Sequence, residues 1–112
     1  MGIARLCFAL DLKNDLALIK EYKAWHTKVW PEVEESFRLT GIQNVSIYHV
    51  ENRLFMIMEV NADFSLVKKA AYDSSNVRIQ QWEVLMDKFQ ERLPNTPKGQ
   101  KWRLMEEIYS FK

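Results

Sequence analysis

One cysteine and two histidines are all the thiol and imidazole chemistry that the 112 residues contain. A lone Cys7 closes no intramolecular disulfide, and no His/Cys grouping has the spacing of a metal site. Lying inside an apolar run, Cys7 reads as a small buried strand residue. Neither sign of charge is in excess: Lys and Arg number 16 against 15 Asp and Glu, a net +1. That balance argues against nucleic acid and against an anionic membrane surface, both of which need a basic face. No window approaches the roughly 20 apolar residues that span a bilayer. The N-terminus also lacks the apolar core of a signal peptide, so the chain reads as cytoplasmic. With only three glycines and three prolines, there is no low-complexity segment, repeat or interdomain linker, and residues 1–112 read as one domain.

Aromatic residues are plentiful, with four Trp, four Tyr and six Phe. The most informative stretch runs from Tyr22 to Glu32, Tyr-Lys-Ala-Trp-His-Thr-Lys-Val-Trp-Pro-Glu. In a helix, Tyr22 and His26 share one face and can line one pocket. An imidazole moves protons near neutral pH without help from a cofactor. A neutral small molecule suits the charge balance.

Punctuation along the chain sets the elements. Ile3 to Leu12 is apolar and β-compatible, closed by Lys13-Asn14-Asp15. Helical spacing of Leu16, Ile19, Tyr22, His26 and Val29 predicts a helix from Asn14 or Asp15 to about Lys28. Pro31 predicts a kink at Val29–Pro31, then helix to Leu39 and a cap at Gly41. Ile42–Val50 and Arg53–Val60 read as a hairpin about Glu51-Asn52. Helix is predicted from Asp63 to Ala71 and from Asn76 to Phe89, broken at Asp73-Ser74-Ser75. Pro94–Gly99 is a loop, and Trp102–Phe111 reads as a last strand.

The resulting β-α-β-β-α-β order is the ferredoxin-like arrangement, an α+β fold with an antiparallel sheet and its helices on one face. The other face then needs cover for apolar residues such as Leu54, Met56 and Met58. A second copy of the sheet supplies it, which predicts a homodimer.

Tyr22-x-x-x-His26, Val29-Trp30-Pro31-Glu32, Gly41-Ile42, Ile47-Tyr48, Phe55, Glu59-Val60 and Trp82 together resemble the L-rhamnose mutarotase family in order and spacing. The similarity extends from the first strand to Glu107-Ile108-Tyr109. It implies a dimeric α+β barrel, no metal or cofactor, and interconversion of the α and β anomers of a 6-deoxy sugar. By position it also implies that Tyr22, His26 and Trp82 form the sugar site. Two departures bear on which sugar is taken. Gln81-Trp82 stands where the family has a Trp pair, and Val45 stands where it has Tyr. L-Rhamnose and L-fucose are both compatible substrates.

Each residue has a second reading. His26, the proposed proton shuttle, also suits a hydrogen-bonded histidine on an amphipathic helix. A phenol is a poor base at neutral pH, so Tyr22 acts as acid or orienter, or else is core. Trp82 offers a flat face for sugar C–H groups, or anchors its helix. Gln81 could supply amide hydrogen bonds, or be an exposed helix residue. Glu59 interrupts an apolar strand, where it could pair with Arg5 or Arg53, or orient His26. A cofactor-free monooxygenase on the same barrel and a non-catalytic sugar-binding module are the rival functions.

Overall fold

Alternation organises the sheet from its first strand. β1 (Ala4–Leu12) buries Phe8, Leu10 and Leu12 and turns Arg5, Cys7, Ala9 and Asp11 to its other side. β3 (Arg53–Val60) likewise buries Leu54, Met56, Met58 and Val60. The two pair antiparallel, with Ala4 opposite Val60 and Asp11 opposite Arg53. The computed structural model describes residues 4–112; Ile3, the expected start of the first strand, lies outside them.

Asp15 caps α1 (Leu16–Trp25), its carboxylate accepting from the Leu18 amide at 3.0 Å. That satisfies one of the amides a helix start leaves without a partner. The helix ends at Trp25, short of the expected Lys28, and His26 is its C-cap rather than a residue of its body. Pro31 explains the separation: it disfavours helix at Trp30, which is extended at φ −62°, ψ 139°. One kinked helix therefore becomes two, and α2 (Pro31–Thr40) starts afresh with proline in its first turn. Gly41 closes α2 at φ +93°, a conformation that glycine adopts without a Cβ penalty.

β2 (Ile42–Val50) pairs with β3 in the expected hairpin, with a register shift between Ile42 and Asn44. This bulge shifts the phase of the strand, so Val45 and Ile47, opposite Met58 and Met56, share the helix-covered face. α3 (Leu66–Ser74) begins later than Asp63 and runs beyond Ala71. The Asp63 amide is engaged by the Asn61 side chain at 3.1 Å, and Ser65 serves as the cap. Asp73 and Ser74 consequently lie inside α3. α4 (Val77–Asp87) follows, capped by Asn76.

The last strand is not the continuous Trp102–Phe111 that the sequence suggests. β4 (Gln90–Glu91) pairs with Asp11–Leu12, and β5 (Arg103–Leu104) pairs with Phe8–Ala9, with the proline-containing loop between them. After Met105, whose amide reaches the Cys7 carbonyl at 2.8 Å, regular pairing stops. Ile108, Tyr109 and Phe111 are 89%, 77% and 84% exposed, so within one protomer no burial rewards a longer strand.

The sheet order β2-β3-β1-β4, with β5 also on β1, is ferredoxin-like. Leu10, Leu12 and Leu54 pack with Ile19, Tyr22, Val33, Trp82, Met86 and Phe89, which puts the helices on one face. Leu54, Met56 and Met58 belong to that covered face, at 1%, 8% and 8% exposure, and not to the open one. The two-residue period of a strand turns Phe55 and Ile57 outward instead. Among the described residues, no helix is long and apolar enough to cross a membrane.

Candidate active site

Between the covered sheet face and the helices lies a cavity of about 710 Å³, within the range of small-molecule sites. Phe8, Val45, Met56 and Met58 form its sheet wall. Tyr22, His26, Val33, Phe37 and Trp82 form its helix wall, and Gln90 and Trp102 come from the β4 and β5 segments. Most of these groups are apolar. The polar groups are few and specifically placed.

The end of α1 delivers two of them. Tyr22 is 3% exposed, and its ring centroid lies 4.5 Å from that of His26. The helix C-cap turns the imidazole back on its own chain, where Nδ1 lies 2.9 Å from the Tyr22 carbonyl oxygen. A carbonyl can only accept, so Nδ1 carries the proton and a neutral ring keeps its lone pair on Nε2. His26 is thereby prepared to take a proton at Nε2.

Tyr22 is prepared for the opposite task. Burial pushes its phenol up to about 12; a hydrogen bond from Gln90 partly opposes the shift, and the Glu83 carboxylate adds to it. The hydroxyl stays protonated at neutral pH and can act only as a neutral donor or acceptor. Gln90 Nε2 donates to its oxygen at 3.2 Å. Glu83, also on the cavity, is held by Lys101 at 2.9 Å.

Trp82 closes this end. It is 5% exposed and meets His26 edge-on at 5.7 Å, with Trp30 at 5.2 Å and Trp25 at 6.5 Å on its other contacts. Arg78 stacks over the Trp30 ring at 4.0 Å. The Trp-Pro segment thus buttresses the indole that flanks His26. Val45 lines the cavity from β2.

Two other sequence-selected residues lie elsewhere. Gln81 is on the exposed side of α4, accepting from Arg78 at 2.8 Å. Glu59 is on the outer face of the sheet, 3.4 Å from both Arg5 and Asn44, with the sheet between it and His26. His49, read as solvated, is exposed and reaches the cavity rim.

Sequence reasoning missed Gln90, Glu83, Trp102 and a cluster of Ser36, Lys69 and Asp73 that joins α2 to α3. Ser36 donates to Asp73 at 2.7 Å, and Lys69 pairs with the same carboxylate. Glu83 could have been found from its place beside Trp82. Gln90 follows a helix end and carries no local signal. Among the described residues, no group of three or more His, Cys, Asp or Glu could hold a metal ion.

A protonated phenol and an imidazole with an available lone pair stand at one end of a largely apolar cavity, an arrangement capable of acid–base chemistry on a neutral small molecule. Comparison with known proteins agrees with that class. A family model described as L-rhamnose mutarotase matches residues 5–111. The chain is 44% identical over 113 aligned positions to an L-fucose mutarotase of Xanthomonas campestris pv. campestris, covering 99% of this chain and 90% of that protein. It is 28% identical over 95 positions to an L-rhamnose mutarotase of Shigella flexneri, covering 83% and 86%. The crystal structure of an L-rhamnose mutarotase from Formosa agariphila shares the fold, with a TM-score of 0.70, 23% identity and coverage of 97% and 99%. The chain belongs to the L-rhamnose mutarotase family.

Proposed function

We propose that this protein is an isomerase that interconverts the α and β anomers of a 6-deoxyhexose, L-fucose or L-rhamnose, and that Tyr22, His26, Trp82 and Val45 form its sugar site. The observation that carries the reading is the Tyr22–His26 pair, one group held as a donor and the other with a free ring nitrogen. Mutarotation needs both. His26 Nε2 takes the proton of the anomeric hydroxyl and gives it to the ring oxygen as the bond from C1 to that oxygen breaks. The C1–C2 bond of the open aldehyde then turns. On closure the hydroxyl formed at the ring oxygen attacks C1 from the other face, and His26 carries its proton back to the oxygen on C1. Tyr22 donates a hydrogen bond to a sugar oxygen throughout and orients it, while a positioned proton-transfer group such as His26 typically supplies ~10²–10⁴-fold. Trp82 offers an apolar surface to sugar C–H groups. Gln81 and Glu59 have no part in this site.

The relative named for L-fucose is considerably more similar than the one named for L-rhamnose, which favours L-fucose. Saturation-transfer NMR on equilibrated L-fucose, L-rhamnose and ordinary aldoses tests both parts. Rapid anomer exchange for L-fucose, reduced at least ~10²-fold in His26→Ala, is the expected result. No acceleration of any sugar would sink the reading.

The homodimer belongs to the same proposal. Cys7, Ala9, Phe55 and Ile57 make a half-buried apolar stripe on the outer sheet face, next to exposed Tyr48 and Val50. Arg5–Glu59 and Arg53–Asp11 ion pairs flank it. A second copy covers this stripe and the exposed apolar side chains of residues 104–111.

A further inference from the structure

We propose that Gln90 is a substrate-recognising residue: its Nε2 holds the oxygen of Tyr22, and its Oε1 accepts a hydroxyl of the sugar. The inference rests on the mutarotase reading and specifies how that site selects its substrate.

Burial, pairing and an unanswered acceptor carry it together. Gln90 is 5% exposed and lines the cavity. It faces inward because it lies opposite Leu12 in the β4–β1 ladder, and Leu12 is a core residue. Its Nε2 donates to Tyr22 Oη at 3.2 Å, while its buried Oε1 has no hydrogen-bond partner. A buried amide oxygen left unpaired is costly, and native structures leave few of them. The residue that carries it borders the space that a ligand would fill.

The pairing also determines what Tyr22 can do. A phenol oxygen that accepts from an amide keeps its own hydrogen for another partner. Tyr22 and Gln90 therefore present one donor and one acceptor side by side. Two neighbouring oxygens of a neutral pyranose match that pattern, since a sugar hydroxyl both donates and accepts. An anionic oxygen fits this pair less well, because it cannot donate to the amide oxygen.

The test uses saturation-transfer NMR on L-fucose, L-rhamnose and their monodeoxy derivatives at C2, C3 and C4, with wild type and Gln90→Met. Met keeps the volume and removes both polar atoms. On the parent sugar, the variant should lose about tenfold in kcat/KM. On the one derivative that lacks the hydroxyl bound by Oε1, it should lose much less, because that contact is already absent. An equal loss on every derivative would mark a merely structural residue, and a change within about twofold throughout would mark a bystander. Either result overturns the inference while leaving wild-type mutarotation intact. Wild type that accelerates no sugar overturns both readings.

A measurement on unaltered protein guards against misfolding of the variant. The Gln90 side-chain amide signals, identified by their proximity to the Tyr22 ring, should shift when the turned-over sugar is added to saturation. Signals that stay in place overturn the proposal.

Discussion

Tyr22 and His26 show how one helical turn can give two neighbouring groups opposite chemical characters. The Tyr22 phenol loses solvent and becomes harder to ionise, whereas His26 Nδ1–H donates a hydrogen bond to the carbonyl of Tyr22 itself and the ring keeps a lone pair on Nε2. The tyrosine has a measurable pH consequence. Its folded-state value of about 12 lies above the ordinary 10.0, so the associated stability is complete below pH 10 and lost as pH rises from 10 towards 12. Spectrophotometric titration should show one late-ionising tyrosine, its ionisation accompanied by loss of structure. In Tyr22→Phe the late-ionising phenol should be gone. The value of this pair was only half legible in sequence. Spacing in an expected helix put the two side chains together, but the cap geometry that fixes the histidine tautomer depends on where α1 stops. Gln90 was invisible because its partner lies far away along the chain, brought near only by the β4–β1 pairing.

At the scale of elements, turn and cap chemistry carried most of the information. Asp15, Gly41 and Asn76 each end or begin a helix where their residue types suggest. Gly41 gives a sharp test. A Cβ there would sit 2.7 Å from Asn61 Oδ1, on a backbone already at φ +93°. Gly41→Ala should therefore cost roughly 1–2 kcal/mol, read as a lower Tm, with the sugar site intact in the folded fraction. Where sequence reading failed, tertiary partners were decisive. The apolar spacing of Ile108, Tyr109 and Phe111 suggests a strand, yet regular pairing with β1 ends near Met105. Leu54, Met56 and Met58 lie on the covered face and not the open one that the sequence suggests, because a run as apolar as Leu54–Met58 shows little contrast between its sides. Only pairing with β1 fixes which parity meets the helices.

For the molecule as a whole, the sheet divides two tasks between its faces. The covered face, with Val45, Met56 and Met58, encloses the cavity proposed to take the sugar, and the outer face carries the apolar stripe proposed to meet a second copy. Ile57 sits in that stripe, on the opposite parity from the cavity wall. Ile57→Asp should convert a dimer to monomers in light scattering coupled to size exclusion, because a buried unpaired carboxylate is strongly unfavourable. A wild-type protein that elutes as a monomer at micromolar concentration would remove the basis for that assignment.

The divided edge strand has an evolutionary side. β4 and β5 take their registers from β1 separately, each by its own pairs, so the excursion between them can lengthen without sliding either one. Doubling a flexible loop adds only about 0.6 kcal/mol of closure entropy. Side-chain contacts limit this freedom, among them Arg92 to the Gln100 carbonyl at 3.2 Å and Lys101–Glu83 beside Tyr22. Insertions among residues 94–99 are thus a cheap source of novelty for descendants of this chain, whereas those that displace Lys101 would change the surroundings of the Tyr22 phenol.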